Sequence, residues 1–405
     1  MLSEGEKDVH IMKQERFLWF QYPLAQFLYW VTCCACSGFV AVYLQYKGLS
    51  NTYIGVIVGF YGVLSLLVQP LSSKIIGIIR GLTVRKMIIL FLMLMSGMFA
   101  AITFFAVSDI WTITAFIVIN AMNSCMIPLM NALGMEYVNQ KQNVNFGLAR
   151  GFGSLGWAVS AAVIGFLLEK FSPDILGYIY IISAGVMFLD IFFMPDFGQW
   201  MEPIKTEEKE KGVLGKCLKD STLLFVIIGS FLNQICHALC TTYTINIVRG
   251  VGGNETAAGL AQFFGAGSEM LGMVLFGVLI ARYGSIRVLK ISSIFFALRF
   301  LFLIFAGNLP MIMFGYALQG PSAGLYIPAA VYLVNERMLP QNRTQGQTIY
   351  NVLTSGMANF MGNLLGGNLI DRFGLRATLV TCFILATVGC ACIMTREASE
   401  ESYSG

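Results

Sequence analysis

Residues 146–157 read FGLARGFGSLGW, and the apolar stretch they open runs on to Leu168 before Glu169 and Lys170 close it. A run of that length is what a helix needs to cross a bilayer, about 20 residues. An arginine, Arg150, stands inside it. If the helix starts near Val144, Arg150 sits roughly 9 Å in, at ~1.5 Å per residue. A charge there either snorkels back to water or has work to do inside.

Similar runs recur along the whole chain. Of its 405 residues 57% are hydrophobic and only 12% charged, with a mean hydropathy of +0.72. A soluble chain carries about 25% charged residues. A transmembrane barrel would alternate polar and apolar residues over segments of ~10, a pattern absent here. The fold class expected is an all-α polytopic membrane protein. The first sixteen residues, MLSEGEKDVHIMKQER, are polar and lack an apolar core before a cleavage site, which reads as a cytoplasmic tail rather than a signal peptide. Ten cysteines lie mostly within apolar runs, including CCAC at 33–36. That Cys-x-x-Cys spacing has no second pair or histidine beside it, so it reads as helix packing, and no metal or cofactor is expected. The net charge of +4 calls for no nucleic acid.

Charge and turn signals divide the chain into twelve crossings, near 17–46, 51–78, 84–107, 111–138, 145–170, 174–194, 221–248, 255–282, 286–306, 309–335, 345–371 and 375–395. One long hydrophilic stretch, 195–220, with KTEEKEKG, interrupts them. The plan is a six-helix bundle over 1–194, a cytoplasmic linker over 195–220 and a second six-helix bundle over 221–405. With both termini inside, the inner segments carry 19 of the 26 Lys and Arg residues and the outer loops 5, leaving Arg150 and Arg299 within spans. Both termini are therefore expected in the cytoplasm. An internal repeat agrees with the plan. GVLIARYG at 277–284 returns as GNLIDRFG at 367–374, and more weakly as GFLLEKF at 165–171 and QPLSSKI at 69–75. Each closes the middle helix of a three-helix group, the trace of inverted repeats.

Polar residues within spans mark interhelical bonds or a solute path. At helical spacing they fall into stripes. The fourth crossing has Asn120, Asn123, Ser124 and Asn131; the fifth Arg150, Ser154 and Trp157; the seventh Gln234, His237, Thr241 and Thr244. The eighth has Gln262 and Glu269, the tenth Tyr316, Gln319 and Tyr326, the eleventh Asn351, Ser355, Asn359 and Asn363. Stripes from both halves point to a hydrated cavity. Glu269 is mid-span, where a charge costs about 2.5–3.5 kcal/mol on the insertion scale. Arg299 is expected to pair with Glu269 or with a group of the tenth span. His237 is a proton carrier or a core histidine. Gly147 with Gly151, and Gly362 with Gly366, are expected to permit close helix contacts.

The twelve-helix plan with a charged central loop resembles the major facilitator superfamily. FGLARGFGSLGW resembles the helix-5 signature of its lactose-permease branch, the oligosaccharide:proton symporters, and of the related phenylpropionate-permease-like proteins. The likeness implies that Arg150 and Trp157 contact a sugar, as would Glu269 in GAGSEMLG, and that Arg299 matches the family's helix-9 arginine. Three positions depart from the pattern. The helix-4 acid is replaced by Asn131, and the helix-10 His and Glu by Gln319 and Ser322, which do not titrate. Coupling would then fall to Glu269 or His237, with Arg299 beside them. The Q-x-x-H-A at 234–238 is closer to the phenylpropionate-like branch.

The expectation is a secondary transporter, monomeric, in the cytoplasmic membrane, moving a small polar solute by alternating access with protons as coupling ion. Binding is assigned to Asn123, Asn131, Arg150, Ser154, Trp157, Glu269, Gln319, Tyr326, Asn351 and Asn359. Coupling is assigned to Glu269, His237 and Arg299. A sugar or glycoside suits an Arg and a Glu set among amides and an aromatic face. An aromatic or other organic acid comes next, since the lost helix-4 acid leaves Arg150 free; nucleosides and uncoupled facilitation follow. No H-E-x-x-H, phosphate-binding loop or Ser/His pair suggests an enzyme.

Overall fold

A computed structural model describes residues 17–79, 81–105, 109–197, 220–338 and 342–395. The N-terminal tail and most of the linker lie outside them. The described residues contain helices and no strand, as a bilayer demands of a chain whose backbone groups must bond within their own segment. In order they are α1 (Leu18–Cys33), α2 (Val40–Tyr46), α3 (Asn51–Ile78), α4 (Val84–Phe104), α5 (Asp109–Asn139), α6 (Phe146–Lys170) and α7 (Ile175–Phe193). There follow α8 (Ser221–Thr242), α9 (Thr244–Arg249), α10 (Glu255–Tyr283), α11 (Ser285–Phe305), α12 (Leu309–Ala317), α13 (Leu325–Arg337), α14 (Arg343–Asn351) and α15 (Ala358–Met394). Wide π turns join α1 to α2 (Cys34–Gly38), α12 to α13 (Gly320–Gly324) and α14 to α15 (Val352–Met357). Side chains of Thr83, Asn145, Asp220, Asn254 and Asn308 cap helix N-termini.

Among the described residues nine helices are long and apolar enough to cross a membrane. The bent run of α1 and α2, with 41° between its parts, makes a tenth. The difference from twelve has two local causes. Pro321, within a turn bounded by Gly320 and Gly324, cuts the tenth expected crossing into helices of 9 and 13 residues. The stretches expected as the eleventh and twelfth crossings run together across Gly374, whose φ of 77° and ψ of 171° break the helix. Gly284, between α10 and α11, has nearly the same conformation, φ 75° and ψ 164°. The two glycines end the strongest sequence repeat, so its halves share a backbone turn as well as residues.

The chain forms two compact units, one of Met1–Gly48 and Phe60–Glu208, the other of Leu49–Gly59 and Lys209–Gly405. In the first, α1 packs on α6 and α7, and α4 on α5 and α7. Helix α6 shows how its sequence serves three surroundings. Phe152, Leu155, Val159, Val163 and Phe166 form an exposed apolar stripe suited to lipid, while Ala149, Gly153, Gly156 and Ser160 are buried. Arg150, Ser154 and Trp157 are half-buried on the side away from the lipid stripe, at about 100° per residue. The close contact differs from the expected one. Gly151 has open space where a Cβ would go, and Gly147 only its own cap 3.7 Å away. Gly153 and Gly156 receive α1 instead: a Cβ there would lie 2.5 Å from the Trp30 ring and 2.6 Å from the Phe27 carbonyl.

In the second unit α15 packs along α8 and α11, and α10 along α12 and the Gly320–Gly324 turn. Gly362 and Gly366 do meet α8, with added Cβ atoms 2.5 Å from the Ile235 carbonyl and 2.7 Å from Leu239. The start of α3 is fastened here too. Asp371 accepts hydrogen bonds from the Asn51 amide, the Thr52 backbone N–H and the Thr52 hydroxyl, each 2.7 Å. It thereby caps α3 from another helix, with a carboxylate at the positive end of the dipole. The Tyr243 hydroxyl donates to the Asn51 carbonyl at 2.9 Å. Gly367 allows this approach, since a Cβ on it would come within 2.0 Å of the Asn51 carbonyl oxygen. Gly367→Ala is expected to lower the thermal unfolding temperature sharply. Gly62→Ala, with nothing within 4 Å of the new atom, should hold or raise stability by about 0.5–1 kcal/mol from helix propensity. Equal effects in the two variants would contradict the contact.

Candidate functional site

Four of the sequence-predicted polar residues converge in the second unit. Arg299 on α11 is completely enclosed. Its Nη2 donates to Gln319 Oε1 at 3.0 Å, and Gln319 Nε2 donates to Glu269 Oε2 at 2.6 Å. The two partners expected for Arg299, Glu269 or a group of the tenth span, are thus joined in series. Arg299 Nη1 lies 3.4 Å from His237 Nδ1. A guanidinium only donates, so Nδ1 is the acceptor and a neutral His237 carries its proton on Nε2. Nη2 also reaches Cys240 Sγ at 3.4 Å, and the guanidinium carbon stands 5.3 Å from the centre of the Tyr316 ring.

Backbone geometry sets this row of groups. At the Gly320–Gly324 π turn the tenth span widens beside α10, and the Gly320 N–H donates to Ser268 Oγ at 3.1 Å. Cβ atoms on Gly272 and Gly320 would lie 2.5 Å from the Gly320 and Ser268 carbonyl oxygens, and one on Gly324 2.8 Å from that of Glu269. Gly265 leaves the Gln319 amide its place, with an added Cβ 3.0 Å from Oε1. Two helices thus meet main chain to main chain, which holds Gln319 within reach of Glu269. The wide turn itself is a departure often found at functional places. Its signal, a proline between glycines inside a span, is visible in the sequence.

In the first unit Arg150 forms no hydrogen bond or ion pair with another described residue. Its guanidinium carbon lies 6.0 Å from the centre of the Trp30 ring. Trp30 meets Trp157 edge to face, with centroids 5.9 Å apart at 81°. Trp30 was not singled out in the sequence, because nothing local to α1 shows that Gly153 of α6 faces it. The same is true of Gln26, fully buried, with Nε2 donating to the Tyr22 hydroxyl at 2.9 Å and Oε1 unpartnered. Asn131 is half-buried and its Oδ1 also lacks a partner.

Other candidates are placed differently. Asn123 is buried, with Nδ2 donating to Cys33 Sγ at 3.1 Å and its carbonyl accepting from the Tyr29 hydroxyl. Tyr326 is fully buried and shares a hydrogen bond of 3.0 Å with Ser230. Asn351 and Asn359 are exposed, and Asn359 donates to the Ser355 carbonyl of its own helix. Ser154 lies half-buried one turn from Arg150. A recess of about 340 Å³ lined by Ile247, Leu303, Ile312, Leu375, Arg376 and Leu379 holds none of the candidates. No group of His, Cys, Asp and Glu that could hold a metal is present among the described residues.

An all-helical chain of apolar spans, with charged groups held inside them by amides and rings, is the build of a membrane transporter. Residues 19–381 match the MFS_1-like family, and the chain belongs to it. It is therefore a multi-pass transporter of a small molecule and not an enzyme. It is 26% identical over 377 residues to the maltose permease of Geobacillus stearothermophilus, covering 91% of this chain and 92% of that one. Its fold is similar to that of the D323A mutant of the nucleoside transporter NupG, with TM-score 0.78 and 14% identity over 93% of this chain and 98% of that one. It is also similar to a bacterial homologue of the human lysosomal transporter Spinster, with TM-score 0.68 and 13% identity over 94% and 96%.

Gln319→Leu keeps the volume and removes the bridge. It is expected to cost roughly 1.5–3 kcal/mol for each charged partner it abandons, read as a lower unfolding temperature of the purified protein. Ser322→Ala removes a hydroxyl that bonds only to carbonyls of its own span and should cost under ~1 kcal/mol. If the two variants unfold alike, Gln319 does not tie Arg299 to Glu269.

Proposed function

We propose that the chain carries a sugar or glycoside across the cytoplasmic membrane by alternating access, residues 1–194 moving against 221–405 and protons serving as coupling ion. The polypeptide would cross twelve times, as a monomer with both termini in the cytoplasm. The observation that carries the reading is the state of Glu269. One of its carboxylate oxygens accepts from Gln319, and the other has no hydrogen-bond partner among the described residues. A half-engaged carboxylate suits a hydroxyl-rich solute, each of whose hydroxyls both donates and accepts. Its likeness to a maltose permease over nine-tenths of its length supports the same solute class.

Coupling follows from the series Glu269, Gln319 and Arg299. With Glu269 ionised, the row is neutral overall, its two charges separated by one amide. With Glu269 protonated, a single positive charge remains and the carboxyl becomes a donor. Solute and proton thus bear on one group, and His237, against Arg299, is placed to respond to the change. Glu269→Gln should abolish proton-driven accumulation of labelled maltose in proteoliposomes while leaving exchange of labelled for unlabelled sugar. Accumulation that survives the substitution removes Glu269 as the coupling group.

Arg150 supports a second reading. It has no acid partner among the described residues, and Asn131 stands where the resemblance implies a carboxylate, so an aromatic or other organic acid would find an available cation. Thermal stabilisation of the purified protein against sugars, nucleosides and aromatic acids separates the readings. The expected result is stabilisation by a sugar, strongly weakened in Arg150→Ala. Stabilisation by an aromatic acid alone would make Arg150 an anion site and the sugar assignment wrong.

A further inference from the structure

We propose that Trp30 is a positioning residue for the solute site, its indole face holding the Arg150 guanidinium, which has no carboxylate partner among the described residues. The proposal extends the transport reading given above. Three contacts place Trp30 at the centre of the helix-5 signature. Its pyrrole edge rests on Gly153, where a Cβ would lie 2.5 Å from both Cδ1 and Nε1. The Arg150 guanidinium carbon stands 6.0 Å from its ring centre, and the Trp157 ring stands 5.9 Å away, edge to face. Residues 150, 153 and 157 share one side of α6, so a single ring on α1 lies beside all three.

The physical difference between this arrangement and an ion pair decides what it does. A carboxylate orients a guanidinium and also cancels its charge. An aromatic face attracts the cation through its quadrupole, with Trp the strongest of the rings, and leaves the charge and all five N–H donors available. Arg150 is thus oriented without being neutralised. Gly153 is the residue that allows it, since any side chain there would displace the indole and with it Arg150. The edge-to-face contact orients Trp157 as well. Trp30 therefore acts on the solute through its neighbours, and the effect of its substitution on binding should be felt only while Arg150 is present.

The test is a double-mutant cycle on the purified full-length protein with Trp30→Leu, Trp30→Phe, Arg150→Ala and Trp30→Leu/Arg150→Ala. It is read first by thermal unfolding without solute, then by affinity for maltose. In the absence of solute, Trp30→Leu should lower the unfolding temperature more in the wild-type background than beside Arg150→Ala. With maltose, Trp30→Leu should weaken binding roughly 3- to 30-fold, Trp30→Phe less, and Trp30→Leu no further once Arg150 is Ala. Equal unfolding shifts in both backgrounds overturn the proposal whatever solute binds. Equal losses of affinity in both backgrounds also overturn it, because Trp30 would then act independently of Arg150. Should the Leu variant fail to fold, the Phe variant carries the same cycle. If maltose and other sugars do not bind the wild-type protein while the solute-free cycle shows coupling, the sugar reading fails and the role of Trp30 stands.

Discussion

An enclosed guanidinium that no carboxylate touches sets the terms for the second unit. Arg299 has no exposed surface, and a charge at the centre of a span costs about 2.5–3.5 kcal/mol even on the mildest scale. It is tolerated because it donates to Gln319, lies against His237 Nδ1 and Cys240 Sγ, and has the Tyr316 face beside it. Each partner is neutral. The acid next in the row, Glu269, is connected through an amide that turns its oxygen toward the cation and its nitrogen toward the anion. Reversing Gln319 would set oxygen against carboxylate and N–H against guanidinium, so the charges on either side fix the orientation of the amide and the amide fixes their separation.

That separation is set by main chain more than by side chains. A regular helix through residues 320–324 would carry Gln319 past Glu269 at a different height and rotation. The π turn widens the span by one residue per turn, and Gly272, Gly320 and Gly324 let the two backbones meet with no side chain between them. Contacts of this kind have little freedom to slide, because the atoms in contact cannot change rotamer. Small residues at helix interfaces in lipid serve the same end in general, since close packing takes over from a hydrophobic drive that lipid does not provide.

The sequence exposed some of this and hid the rest, for reasons that differ by residue. Apolar runs and the charge between them were enough for an all-helical membrane protein, and the repeat at 277–284 and 367–374 marked glycines that adopt one conformation twice. Glu269, Arg299, His237 and Gln319 were visible because a polar side chain within a span is conspicuous whatever it touches. Their order was not visible, since only the folded chain shows that Gln319 stands between the other two. Gly147 and Gly151 fitted a four-residue spacing rule, but the helix they sit on turns a neighbouring face to α1, and Gly153 and Gly156 make the contact. Trp30 gave no signal, because a tryptophan in an apolar run is unremarkable until the cation above it is known. Asn123 was conspicuous for the same reason as Glu269, yet its amide serves Cys33 of the neighbouring helix.

The two arginines within spans answer one difficulty with different chemistry. Arg299 is enclosed, with both Nη atoms engaged by an amide, a ring nitrogen and a thiol and its buried Nε without a partner, so its effect on surroundings is electrostatic. Arg150 is half-buried and stands 6.0 Å over an aromatic ring that uses none of its donors. On the proposed reading this division separates two tasks. An arginine whose N–H groups are free can form bonds that begin and end with each solute, while one enclosed and held at both Nη atoms keeps a constant field on the nearby carboxylate. Exchanging the two environments would fail at both places. Arg299 on a bare ring would leave its Nη donors buried and unsatisfied beside its Nε, and Arg150 held by several fixed acceptors would have fewer N–H groups left for the solute.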